Sequence, residues 1–158
     1  MIVTEADMVT LRARHRGQRL VFAIGTYDLL HAGHLLHLAW AKRQGDILVV
    51  AVNDDLKVRN HKGWARPIMP EDHRLALVDS LKYVDYAVLG KWRGGDYDTA
   101  FWRLGAKLQP DLICIGNQPQ HDIAAWQTAL PGVPIIADPQ LKAYGTTGVI
   151  NVIVERHL

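Results

Sequence analysis

A single cysteine, Cys114, stands among 158 residues. That excludes a disulfide framework and fits a reducing compartment. Within the apolar run LICI (112–115) the thiol reads as a small core hydrophobe. No stretch comes near the roughly 20 apolar residues that cross a bilayer. The opening MIVTEADMVT lacks the basic-then-apolar order of a signal segment. The expectation is a cytoplasmic protein without a membrane partner. Charge of one sign is also scarce: 18 basic against 16 acidic residues leave +2. That balance supports no nucleic-acid partner, and the sequence pI near 8.8 adds only a mild preference for anionic ligands. Internal repeats and low-complexity tracts are absent.

Apolar residues make up 49% of the chain, an ordinary globular share. They fall in short runs rich in Val and Ile: LVFAI (20–24), ILVVAV (47–52), DYAVL (85–89), LICI (112–115) and VPIIA (133–137). Helix-period segments alternate with them near 33–44, 71–82, 97–108 and 121–129, and a last one begins around Thr147. This alternation predicts an α/β fold, a Rossmann-like doubly wound sheet of five parallel strands with helices on both faces. The length prior gives one domain over residues 1–158, with residues 1–19 as an N-terminal helical extension. In that extension Thr4 and Asp7 resemble a capping box over 4–16, and Gly17 can stop the helix. Gly45 sits where a left-handed C-cap would close the first main helix. The segment 53–70 has no clean periodicity and reads as a long loop.

In an open parallel sheet the ligand lies beyond the carboxyl ends of the strands. Immediately after the first run stands GTYDLLHAGH (25–34). Gly25 and Thr26 end a strand with exposed amides and a hydroxyl. Gly33 lets backbone approach a ligand at the mouth of a helix, whose positive end favours phosphate. Two imidazoles, His31 and His34, can stabilise charge that builds during phosphoryl chemistry. His31, His34 and His37 lie three apart, but spacing alone supports a metal site only weakly. His37 reads as a helix-face residue meeting solvent or a neighbour. A dehydrogenase is a weak rival, because no G-x-G-x-x-G follows the first run.

The stretch resembles the G-x-[FY]-D-x-x-H-x-G-H signature of the cytidylyltransferase-like nucleotidyltransferase superfamily, with Gly25, Tyr27, Asp28, His31, Gly33 and His34 all in place. KGWARPIMPEDHR (62–74) resembles that family's K-G-x-x-R-P-x-x-P-x-x-x-R segment, AYGTTGVI (143–150) its S-T-T/S-x-x-I motif, and PDLICIG (110–116) its P-D-x-x-x-x-G strand end. The resemblance covers roughly residues 4–157. It is similar in different parts to heptose-1-phosphate adenylyltransferase domains, glycerol-3-phosphate cytidylyltransferases and archaeal-type FAD synthetases.

The resemblance implies an enzyme that transfers a nucleoside monophosphate from ATP or CTP to a phosphorylated sugar or polyol, releasing pyrophosphate. FMN adenylyl transfer, or a non-catalytic nucleotide-binding regulatory relative, are the alternatives it leaves. His31, His34 and Lys62 would be catalytic. Gly25, Thr26, Tyr27, Asp28, Gly33, Arg74, Gly116, Asn117, Thr146 and Thr147 would bind nucleotide, with Arg74 in either a phosphate or a structural role and the two threonines either on phosphates or as helix caps. Magnesium would be held mainly by the triphosphate rather than by side chains, and a homodimer is implied. Lys82 and Asp85 fall where the family places a base and an acid, or else serve a helix end and a turn. The chain departs from the pattern at Asn60, where some members carry a second lysine; Lys57 or Arg59 could reach the same phosphates. It departs again at Gly145 and Gly148, where a serine and a basic residue are usual, and at Asn117-Gln118 in place of an acid.

Overall fold

The computed structural model describes residues 1–95, 99–116, 123–139 and 145–157. Its strands are β1 (Ile2–Val3), β2 (Leu20–Gly25), β3 (Ile47–Asn53), β4 (Tyr86–Gly90), β5 (Leu112–Ile115) and β6 (Ile135–Ala137). They form one parallel sheet in the order β1-β4-β3-β2-β5-β6. The helices are α1 (Met8–Arg14), α2 (Ala32–Lys42), α3 (Asp55–Lys62), α4 (Glu71–Asp79), α5 (Thr99–Leu108), α6 (Ile123–Ala129) and α7 (Thr146–His157).

Successive side chains of a strand point to opposite faces, and here both faces are covered. Phe22, Ile24, Val49, Ala51, Val88 and Ile113 pack with Met8, Leu11, Phe101, Leu104 and Trp126 from α1, α5 and α6. Val21, Ala23, Leu48, Val50, Ala87 and Cys114 pack with Leu38 and Ala41 of α2 and Val78 of α4 on the other side. Cys114 is fully buried, and burial foremost pushes its thiol up to about 12. After β2 the chain lays β3 and β4 to one side, then returns to place β5 on the other. The switch point therefore lies between β2 and β5, at their carboxyl ends.

Five expectations need correction. The sheet has six strands instead of five, because the two-residue β1 pairs with β4 at the edge: Ile2 with Ala87 and Val3 with Val88. Two residues are too few to show a period, and β1 also means that the N-terminal extension is not wholly helical. Within it, Asp7 accepts from both the backbone and the hydroxyl of Thr4, at 2.8 and 2.6 Å.

The 53–70 segment is not all loop, since it contains α3. That helix is specified by its ends: Asp54 accepts from the Lys57 N–H at 2.9 Å, Asp55 lies in the first turn, and Arg59, His61 and Lys62 lie in the last. Gly45 is required for space and not for a left-handed turn. A Cβ there would meet the Arg19 carbonyl oxygen and a Val21 methyl, each at 2.7 Å. Finally, Thr146 does not cap α7. The helix begins at Thr146, and the Gly145 carbonyl accepts from Gly148 and Val149.

Candidate active site

Gly25 ends β2 opposite Val52, and the backbone then turns sharply: Tyr27 and Leu29 have φ of 54° and 45°. Non-glycine residues enter that left-handed region only where their surroundings hold them, and such positions concentrate at functional sites. Gly25 permits the turn. A Cβ on it would stand 2.8 Å from the Tyr27 ring, which folds back into the core. The turn delivers the chain to His31, the N-cap of α2, with extended backbone.

His31 and His34 stack with ring centroids 3.8 Å apart, and Tyr27 meets His34 edge-on at 5.4 Å. The His31 N–H donates to His34 Nδ1 at 3.4 Å. His34 Nδ1 is thus an acceptor, and in the neutral ring the proton sits on Nε2, ready to donate. Burial, then the charges of His31 and His37, hold His34 down to about 3. Burial also lowers His31, whose ring nitrogens are both enclosed and have no hydrogen-bond partner among the described residues. Enclosed polar atoms without partners are costly unless something meets them. Gly33 is buried in the first turn of α2, where amides lie open to an anion.

Lys62 is the last residue of α3 and is exposed. Its ammonium is held below the ordinary lysine range, first by loss of surrounding water and then by the Arg66 charge, while Asp28 works the other way. Its charge in turn helps lower His34, so the two belong to one electrostatic unit. Lys57 takes no place there. It is fully buried with Nζ 3.8 Å from the centre of the Phe101 ring.

Several expected site residues serve as framework. Asp28 is buried and accepts from Arg66 Nε at 2.9 Å, and from the backbone of Ile68 and Met69. Burial alone would raise its pKa; those amides and Arg66 outweigh it and hold the carboxyl below the usual carboxylate range. Arg74 is fully buried, and its fork is spent inside the protein. It donates to the carbonyls of Met69, Thr26 and Asn53 and to the Asp55 carboxylate, at 2.7 to 2.9 Å. Of its two expected roles the geometry supports the structural one, bracing the ends of β2 and β3.

The Thr26 hydroxyl accepts from Asn53 Nδ2 at 3.1 Å, which leaves its own proton to give. The Thr146 hydroxyl donates to the Asp28 carbonyl at 2.9 Å, drawing the start of α7 onto the first motif, and Thr147 is exposed beside it. Gly116 follows β5 at the same edge; Asn117 lies outside the described residues. Lys82 is exposed, whereas Asp85 binds Lys42 and the Leu48 N–H, the turn role.

Sequence reasoning gave no role to Asn53, Asp55, Arg66 or Asp138. Arg66 carried a signal, since it is the arginine of the R-P step in KGWARPIMPEDHR. The other three are single polar residues at strand or helix ends, without a pattern.

The side chains at the mouth are imidazoles, an ammonium and hydroxyls, a set that suits anionic oxygens. Among the described residues no three His, Cys, Asp or Glu side chains converge as a metal would need.

Residues 22–151 match the family described as cytidylyltransferase-like. The chain is 39% identical over 166 aligned positions to the bifunctional protein HldE of Shewanella amazonensis (strain ATCC BAA-1098 / SB2B), covering 99% of this chain and 32% of that protein. It is 39% identical over 131 positions to the bifunctional protein HldE of Alkalilimnicola ehrlichii (strain ATCC BAA-1101 / DSM 17681 / MLHE-1), covering 82% and 26%. The chain thus spans about a third or less of the length of these relatives. Among solved structures, the lipopolysaccharide core biosynthesis protein from Thermoplasma volcanium GSS1 superposes with a TM-score of 0.67 at 34% identity, over 77% of this chain and 96% of that one. Pantothenate synthetase from Thermus thermophilus, at 18% identity and a TM-score of 0.63 over 87% and 60%, shares the fold.

Proposed function

This chain belongs to the cytidylyltransferase-like family, and from that membership together with its site we propose that it transfers a nucleoside monophosphate from ATP or CTP to a sugar or polyol phosphate, releasing pyrophosphate. The observation that carries the reading is the stacked pair His31 and His34 at the amino end of α2, where both His31 ring nitrogens lack a hydrogen-bond partner among the described residues and the Lys62 charge acts on His34. Heptose 1-phosphate heads the candidate acceptors. The support is the resemblance of the leading helix and the stretch that follows it to heptose-1-phosphate adenylyltransferase domains, and the names of the HldE relatives and of the lipopolysaccharide core protein; the G-T-Y-D form at 25–28 is instead more like glycerol-3-phosphate cytidylyltransferases and FAD synthetases.

In the reaction the acceptor's phosphate oxygen forms a bond to the α-phosphorus as the bond from that phosphorus to the pyrophosphate oxygen breaks. The chain forms no covalent intermediate, so its work is positioning and charge stabilisation. His34 donates Nε2–H to an α-phosphoryl oxygen as charge builds there. An approaching polyphosphate opposes the burial that keeps this ring neutral and strengthens that hydrogen bond. His31, Lys62, Thr26 and the α2 amides hold the phosphate chain, and Thr147 at the start of α7 meets its far end. Magnesium would be held mainly by the triphosphate rather than by side chains, and when bound would supply charge neutralisation to the leaving pyrophosphate. The working form is a homodimer, a reading supported by the family resemblance, and the single buried thiol of Cys114 supports a cytoplasmic setting.

The test is a pyrophosphate-release screen of ATP, CTP, GTP and UTP against heptose 1-phosphate, glycerol 3-phosphate and FMN. Turnover is expected with a sugar or polyol phosphate, and His34→Ala should slow it on the order of 100-fold or more with triphosphate affinity little changed. Pyrophosphate release with FMN alone would move the assignment to FAD synthesis. Triphosphate binding without release in any combination would make the chain a nucleotide sensor.

A further inference from the structure

One turn beyond His34, α2 carries a third histidine that the motif does not use. His37 is buried, and its Nδ1 lies 3.1 Å from Oδ2 of Asp138, just past the end of β6. The two side chains are 5% and 2% exposed. A carboxylate can only accept, so Nδ1 donates. Asp138 is itself fixed to the sheet, since its N–H donates to the Ile115 carbonyl at 3.0 Å. The bond therefore ties α2 to the edge of the sheet across 101 residues of sequence.

Such a pair is a poor device for stability. Removing charged groups from water costs several kcal/mol, and well-packed apolar replacements are often no worse. What a directional bond supplies and apolar packing does not is a defined rotation. His34 and His37 lie three apart in α2 and share one face of the helix. A slip of one residue turns that face by about 100° and would carry the His34 ring away from the mouth. The apolar contacts of α2 with the sheet, through Leu38 and Ala41, resist such a turn only through shape.

We propose that the His37–Asp138 hydrogen bond is a positioning device, which sets the rotation of α2 and through it the place of the His34 imidazole. Neither residue touches substrate. The inference rests on the nucleotidyl-transfer reading of the mouth and adds residues that act through His34.

The experiment is a double-mutant cycle. Asp138→Asn is made in the wild-type chain and in His34→Ala, and kcat for pyrophosphate release and Kd for the triphosphate are measured with the thermal midpoint. In the wild-type background, kcat should fall about 10- to 100-fold while Kd changes little. In the His34→Ala background the same substitution should have no further effect, because the group it positions is gone. Equal losses in both backgrounds, as a merely structural role would give, overturn the proposal, and so does no loss in the wild type. Should Asp138→Asn fail to fold, His37→Gln is read in the same cycle. If the wild type releases no pyrophosphate, or His34→Ala keeps the full rate, the transfer reading is what fails. The nitrogen-labelled imidazole resonances of His34 then decide the positioning claim: a shift on Asp138→Asn supports it, and an unchanged spectrum overturns it.

Discussion

His34 is half-buried, and the loss of water around its ring favours the neutral form, with a measurable consequence. An unfolded histidine takes up a proton near 6.5, whereas this one is held down to about 3. Between those values the unfolded chain binds a proton that the folded chain refuses, so stability falls as pH drops from 6.5 toward 3. In the His34→Ala variant this share of the loss disappears. Thermal midpoints followed through that range should decline less steeply for the variant than for the wild type, and parallel curves would contradict the neutral state. The identity of this residue was readable from GTYDLLHAGH. Its protonation state was not, because that depends on the His31 ring stacked upon it and on the mass of protein around both. Arg74 shows the same division more sharply. Its place in the R-P-x-x-P-x-x-x-R segment was visible, yet only the fold reveals that its donors are consumed by the carbonyls of Met69, Thr26 and Asn53 and the carboxylate of Asp55.

At the scale of elements, the segment between α3 and α4 is the part of the site organised by one side chain. Asp28 receives Arg66 and two backbone amides, and so holds the stretch that follows Lys62 against the first motif. Asp28→Ala would leave the partly buried Arg66 and those amides without an acceptor, a loss on the order of 3–5 kcal/mol in chemical unfolding. It should also weaken triphosphate binding by releasing the Lys62 segment. The sign with pH follows from the lowered Asp28 pKa. The stabilisation is complete above the ordinary carboxylate range and is lost as pH falls through the depressed value. Acid unfolding of Asp28→Asn should therefore lack that component. Elements with apolar periodicity, such as α2 and α5, were legible in advance. Helix α3 was not, since its caps and end charges specify it without an apolar stripe. At Gly45 the sequence points to a left-handed turn, whereas the constraint is the Arg19 backbone lying against it.

Across the whole molecule, stability is concentrated in the middle of the sheet. Phe22 on β2 is fully buried between strands on either side, and Phe22→Ala should cost about 3–5 kcal/mol. Ile2 on the edge strand β1 is 48% exposed, and Ile2→Ala should cost about 0.5 kcal/mol or less. Urea unfolding of the two variants measures the contrast, and similar losses would mean that the edge strand matters more than its exposure suggests.

The order of apolar runs and helix-period segments determined a parallel α/β sheet on its own, because a strand buried on both faces must be apolar throughout and a helix beside it must be apolar along a stripe. The local motif likewise determined which imidazoles stand at a helix mouth. Tertiary structure alone decided which polar residues are consumed by contacts within the protein. Asp28 and Arg74 turn inward and Lys57 is buried against Phe101, while His37 finds Asp138 across 101 residues. The physical reason is that a polar side chain's role is set by the partner it meets, and these partners come from elements that are remote in sequence and adjacent only once the sheet has formed.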